Sequence, residues 1–270
     1  MAYLAPSEFV TSMVDAGEAK INMSAKDTII RAYMAGAILG LAAVFAITVT
    51  VTTGSSVIGA MLFPVGFIML YLMGFDLLTG VFVLAPLALI DKRPGVRLSG
   101  VFKNWGLVFF GNFAGALTTA IMMAVVFTYG FSVEPNMVGQ KIAKIGEMRT
   151  LGYAEHGLAG WITVFIRGML CNWMVSMGVV GAMISTTVSG KAIAMWMPIM
   201  LFFFMGFEHS VVNMFLFPSA IIMGGGFSVI DYFIWNEIPT VLGNLLGGLL
   251  FTGLTLYNTH VRTTPKRRLG

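Results

Sequence analysis

Phe202-Phe203-Phe204-Met205-Gly206-Phe207-Glu208-His209-Ser210-Val211-Val212-Asn213-Met214-Phe215-Leu216-Phe217-Pro218 places an acid and an imidazole at the centre of an otherwise uncharged apolar stretch. Ionisable side chains are costly in hydrocarbon, so this pair is expected to face protein or a path through the membrane, not lipid. The surrounding apolar run, residues 192–225, carries no other charge. It is too long for one straight span and too short for two spans with a turn. With Glu208 and Gly206 at its middle, it reads as two half-helices joined by a few residues of irregular backbone. Such backbone is tolerated at membrane depth only where it is buried in protein or lines a water-filled cavity.

The rest of the chain supports that setting. It is 57% apolar and 10% charged over 270 residues, a balance that would leave a soluble domain without a wet surface. Apolar runs fall at 29–53, 56–90, 104–130, 158–185, 192–225 and 229–258. The 56–90 run repeats the anomaly, with Asp76 beside Gly74 near its centre. An offset of 132 residues lays Phe75-Asp76 on Phe207-Glu208, Pro86 on Pro218, Asn104 on Asn236, Gly111-Asn112 on Gly243-Asn244 and Gly115 on Gly247. The expected fold is therefore an all-α membrane protein of six transmembrane segments, the second and fifth broken. Its two repeats, 29–130 and 158–258, hold three segments each, so the second copy must be inverted relative to the first, an architecture of transporters. Asp76 and Glu208, placed alike by the repeat, are expected to support the broken helices by capping backbone N–H groups. The glycine pairs at 111/115 and 243/247 are expected to let helices approach closely, with Asn112 and Asn244 bonding between them.

Lysine and arginine are distributed twelve against three between the two sides, Arg167 lying inside the fourth segment, which puts both termini in the cytoplasm. Residues 1–28 form an amphipathic segment with Phe9, Val10, Met13, Val14 and Ile21 on one helical face, and 259–270 form a basic tail suited to anionic lipid. The first 28 residues lack the apolar region of a secretory signal. A single cysteine, Cys171, excludes an intrachain disulfide. The basic residues are explained by topology, so nucleic acid is not an expected partner.

Four separated motifs resemble the formate/nitrite transporter family, in order. Asp76-Leu77-Leu78-Thr79 is similar to its second-helix loop, and Lys103-Asn104-Trp105 with Gly111-Asn112 to its third helix. Leu170-Cys171-Asn172-Trp173 is similar to its fourth-helix asparagine motif, and Gly206 to Phe215 to its fifth-helix signature. The resemblance spans about residues 5–258 and leans to the formate channels. It implies an aquaporin-like protomer, a homopentamer in a prokaryotic inner membrane, and one pore per protomer for small monovalent anions. Position by position, it implies that His209 is the central pore histidine, that Thr79 bonds it or the substrate, and that Asn172 faces the pore, with Asn213 beside them. It implies Phe202, Phe67, Phe63, Leu77 and Leu78 as apolar constrictions. A vestibule lysine common in the family falls by gap-free counting at His156, beside Glu155, where this chain has none.

A bare carboxylate in a low-dielectric constriction costs on the order of 20 kcal/mol by the idealised Born estimate, and several after relaxation. Formic acid, being neutral, avoids most of that cost. Passage as the neutral acid past His209 is therefore the expected mode, imidazole being the side chain whose unperturbed titration lies near neutrality. No cofactor and no metal site are expected, since three histidines without a His-Glu-x-x-His pair do not make an intramembrane metal enzyme. No enzymatic activity is expected. Nitrite, hydrosulfide, lactate and acetate remain alternatives to formate. A neutral-solute channel is the other class, although the paired Asn-Pro-Ala loops of such channels are missing.

Overall fold

The computed structural model describes residues 3–262, so most of the basic tail, 263–270, lies outside the described residues. The chain is helical: α1 (Pro6–Asn22), α2 (Ala25–Thr53), α3 (Ser56–Leu62), α4 (Pro64–Leu72), α5 (Leu78–Ile90) and α6 (Leu98–Phe127) make its first part. Helices α7 (Met137–Met148), α8 (Leu151–Ala154), α9 (Gly157–Ile184), α10 (Val188–Phe204) and α11 (Ser210–Ile222) follow. A last apolar helix, α12 (Val229–Arg262), closes the fold. Four of the described helices, α2, α6, α9 and α12, are long and apolar enough to cross a membrane. Their outer faces expose large apolar side chains such as Phe45, Phe110, Met122, Leu158 and Leu250, which suits contact with lipid.

Helix α4 gives way to α5 across residues 73–77, and α10 to α11 across 205–209. Each transition begins with a glycine in the left-handed region, Gly74 at φ 72° and Gly206 at φ 63°, a conformation that costs glycine nothing. The long helices pack in pairs, α2 with α6 and α9 with α12. A Cβ on Gly115 would stand 1.9 Å from the Tyr33 carbonyl oxygen, and one on Gly247 2.0 Å from that of Met169. Only glycine permits those approaches. Helix α1 does not present its apolar face to lipid. Phe9, Val10, Met13 and Val14 are buried against Val83, Leu84 and Leu87 of α5 and Val180 of α9. Ile21, expected on the same face, is only half-buried.

Candidate pore site

The two backbone breaks are held by the same set of bonds. Asn112 of α6 accepts a hydrogen bond from the Leu78 N–H at 2.9 Å, and its amide donates to the carbonyls of Asp76 at 2.9 Å and Ala32 at 2.7 Å. Asn244 of α12 accepts from the Ser210 N–H at 3.0 Å and donates to the carbonyls of Glu208 and Gly168, each at 2.9 Å. The bonds across each break recur at the sequence offset of 132. They also correct one expectation. Asparagine, not the acid, serves the first N–H of each half-helix, because an amide can meet a donor and acceptors together while a carboxylate can only accept.

Both acids are buried and bond to side chains instead. Asp76 pairs with Lys20 of α1. Glu208 accepts from the Tyr153 hydroxyl at 3.0 Å and from the amides of Asn213 at 3.0 Å and Asn236 at 3.2 Å, with Arg149 at 3.7 Å. Arg167 donates to the Tyr153 oxygen at 2.7 Å, so its charge reaches Glu208 through the phenol. Asn213 thus belongs to the support of Glu208 and lines neither cavity described below.

His209 is the N-cap of α11. Its Nδ1 accepts from the N–H groups of Val211 at 3.1 Å and Val212 at 3.3 Å. A nitrogen that accepts two bonds carries no proton, so the neutral ring has its hydrogen on Nε2. That nitrogen lies 3.4 Å from the Thr79 hydroxyl oxygen. Phe202 covers the ring, with centroids 5.4 Å apart. The matching N-cap of α5 is Leu77, which offers no side-chain acceptor.

A cavity of about 140 Å³ on one side is lined by His209, Phe202, Thr50, Ser56, Lys141 and Arg149, among others. A second, of about 250 Å³, is lined by Thr79, Leu77, Phe67, Tyr71 and Lys20, among others. The Thr79–His209 contact therefore joins a residue of each cavity. Phe63 packs edge-on to Phe202 at 5.7 Å and stacks on Phe203 at 3.9 Å. It stands with Phe202 on the His209 side, one turn from Phe67 on the other. Leu78 is buried and lines neither cavity. Asn172 also lies behind the wall, donating to the carbonyls of Thr79 at 3.1 Å and Asn244 at 2.7 Å. It holds the first turn of α5 at Thr79.

Glu155 and His156 are exposed and lie outside the His209 cavity. Its cations are Lys141 and Arg149, carried there because α7 packs across α2 and α11. Counting back along α9 could not find them, since they arrive from a preceding helix that folds over the site. Lys20, Tyr153 and Asn236 were also missed as partners of the acids. For Asn236 a signal existed, because the repeat aligns it with Asn104. Asn104 donates to the Lys20 carbonyl at 3.1 Å, and Asn236 to the Arg149 carbonyl at 3.0 Å.

An all-helical fold with two broken helices meeting beside a histidine and a threonine defines a class of membrane transport proteins. The chain matches the formate/nitrite transporter family over residues 7–258 and belongs to it. It is 31% identical to YrhG of Bacillus subtilis (strain 168), described as an uncharacterized transporter, over 99% of this chain and 98% of that one. It is 30% identical to the formate channel BtFdhC of Bacillus thuringiensis, covering 95% and 96%. Among solved structures, a pentameric formate channel with formate bound is similar with a TM-score of 0.73 and 25% identity, covering 87% of this chain and 96% of that one.

Proposed function

We propose that the chain conducts small monovalent anions, formate first among them, from one cavity to the other past His209 and Thr79. The observation that carries this reading is the Thr79–His209 contact between two cavities, with an N–H donor on the facing ring nitrogen. Formate fits the donors available. Its oxygens can accept from His209 Nε2–H, from the Thr79 hydroxyl and from the first turn of α5, whose N-terminal dipole also favours an anion. Lys141 would raise the local anion concentration on one side, while Arg149 and Lys20 offset the charges of Glu208 and Asp76. Phe202, Phe67 and Leu77 restrict water at the contact, so the unpaired anion crosses at a cost that the neutral acid avoids.

His209 acts in this reading as a hydrogen-bond donor. Its Nδ1 is committed to two backbone N–H groups, and giving up the Nε2 proton without gaining one at Nδ1 would leave an imidazolate. The proton that neutralises the substrate would therefore come from hydronium of the bulk solution that enters the cavity, leaving water behind. The protomer would span the membrane six times, with the second and fifth segments broken and the second repeat inverted, as the odd number of segments per repeat requires. Both termini would be cytoplasmic in an inner membrane, with α1 on that side, and five protomers would assemble as in the pentameric formate channel.

Competition uptake into proteoliposomes, offering formate, nitrite, hydrosulfide and lactate together across a pH series, tests the reading. Formate is expected to dominate uptake. Preference for another anion would reassign the substrate, and swelling in glycerol without anion uptake would overturn the anion reading.

A further inference from the structure

A third acid is buried beside the site without a part in the pathway. Glu237 of α12 is 1% exposed. Its two carboxyl oxygens lie in hydrogen-bond contact with the hydroxyls of Ser210 and of Tyr232, the latter at 2.8 Å. The backbone explains how it came inside. Residues Phe233–Glu237 form a π-helical turn, a wide form that is frequent at functional positions inside α-helices. The turn sends two consecutive side chains inward, Asn236 to Glu208 and Glu237 to Ser210. The matching position in the first half is Trp105, whose indole N–H donates to the Val81 carbonyl of α5 at 3.1 Å. The second half has replaced a fixed donor with an ionisable acid.

The partners of the three buried acids differ in kind. Asp76 is paired with an ammonium, and Glu208 receives two amides, a phenol and a guanidinium. Ammonium, amide N–H and guanidinium groups can only donate, so both sites are built for a carboxylate. Glu237 has two hydroxyls, which accept as readily as they donate, and they suit a carboxylic acid equally well. The cations nearby are engaged elsewhere: Arg149 serves Glu208 directly and Arg167 through Tyr153, while Asp231 on the same helix bonds Ser228. A second unpaired charge beside Glu208 would be opposed by burial and by that acid's own charge.

We propose that Glu237 is a buried proton-holding site, a neutral carboxylic acid bonded to Ser210 and so one residue from His209, that keeps the start of α11 free of a second negative charge. Ionisation of Glu237 would set a negative charge at the N-terminus of α11 and oppose an anion at His209. Glu237 is thus a positioning residue for the electrostatics of the pore and not part of the substrate contact. The consequence for transport rests on the anion reading given above; the protonation state does not.

Infrared difference spectroscopy of the reconstituted protein decides the protonation state without any substrate. The neutral-acid carbonyl band is expected in the unaltered protein at neutral pH and absent from Glu237→Gln, while Tyr232→Phe shifts the band without removing it. No such band at neutral pH, or one that survives in Glu237→Gln, overturns the proposal. Should Glu237→Gln fail to assemble, the band in the unaltered protein and its shift in Tyr232→Phe carry the test. Formate uptake with equal pH on both sides of the vesicle supplies the functional arm. The ratio of Glu237→Gln to unaltered protein cancels the protonation of the substrate. It is expected to rise several-fold from neutral to alkaline buffer, and a flat ratio would remove the electrostatic role. Failure of both proteins to move formate, with the band present, would reject formate as the substrate and leave the proton site standing.

Discussion

The break before α5 and the break before α11 are built alike and finished differently. In each, an asparagine from a long helix joins the first N–H of the half-helix to the carbonyl on the other side of the break, and a buried acid is held by basic groups. The first half then leaves its N-cap as Leu77, with no side-chain acceptor. The second half puts His209 there, capping α11 with one ring nitrogen and facing Thr79 with the other. The shared parts hold each break in place. In the proposed pathway the unshared parts would handle the solute: one helix start is left open to an anion, and the other is capped by the residue that faces Thr79 across the gap.

The asparagines carry the largest expected effect, and it should be the same in both halves. Asn112→Leu strands the Leu78 N–H and the Asp76 carbonyl, and Asn244→Leu strands the Ser210 N–H and the Glu208 carbonyl, while the Ala32 and Gly168 carbonyls keep their helical partners in α2 and α9. Each buried group left without a partner costs about 1–3 kcal/mol. Both variants are expected to lose the folded protein in detergent, read by size exclusion and thermal denaturation. Survival of one of them would break the equivalence of the halves.

The acids should respond unequally. Lys20→Leu leaves Asp76 buried with no cation, and breaking a buried pair in this way costs about 3–5 kcal/mol. Arg149→Leu leaves Glu208 with the phenol of Tyr153 and the amides of Asn213 and Asn236, so the loss is about 1 kcal/mol. Thermal denaturation of the two variants in the same detergent should therefore rank Lys20→Leu well below Arg149→Leu. The reverse order would mean that Arg149 and not the hydrogen-bonding cluster neutralises Glu208.

Sequence carried the halves further than it carried the site. Positions such as Asp76, Glu208 and Asn112 could be paired because identical chemistry recurs at one offset, and the glycines beside the acids marked where the backbone turns. The functions of those positions were less legible. The asparagines bond between helices as expected and also take the capping role expected of the acids, since a linear sequence does not say which side chain reaches the free N–H. Helical spacing would put Asn213 on the same face as His209, but His209 is an extended N-cap at φ −114° and ψ 114°, so the i, i+4 relation fails there. Lys141 and Arg149 were invisible as cavity cations because only the packing of α7 over α11 brings them in. Nothing in spacing could have paired Glu237 with Ser210, since the π-helical turn shifts the register of α12 at that point.

The smallest expected effects isolate the one position where the halves diverge. His209→Leu removes the cap on Val211 and Val212, a loss of about 1 kcal/mol. His209→Asn keeps a capping oxygen and should lie within a few tenths of the unaltered protein, while both variants lose the donor that faces Thr79. Comparable losses of formate uptake with different thermal stabilities would separate the two jobs of the ring. Unchanged uptake and pH dependence in His209→Asn would remove the histidine from the pathway. The converse change, Leu77→Asn, gives α5 the cap it lacks. It is expected to add about 0.5–1 kcal/mol of stability, read by thermal denaturation, and to slow formate uptake, because the new side-chain oxygen takes the Thr79 N–H that would otherwise meet the anion. A variant that is stabilised and transports unimpaired would show that the open start of α5 does not bind substrate, and would leave His209 and Thr79 to hold it alone.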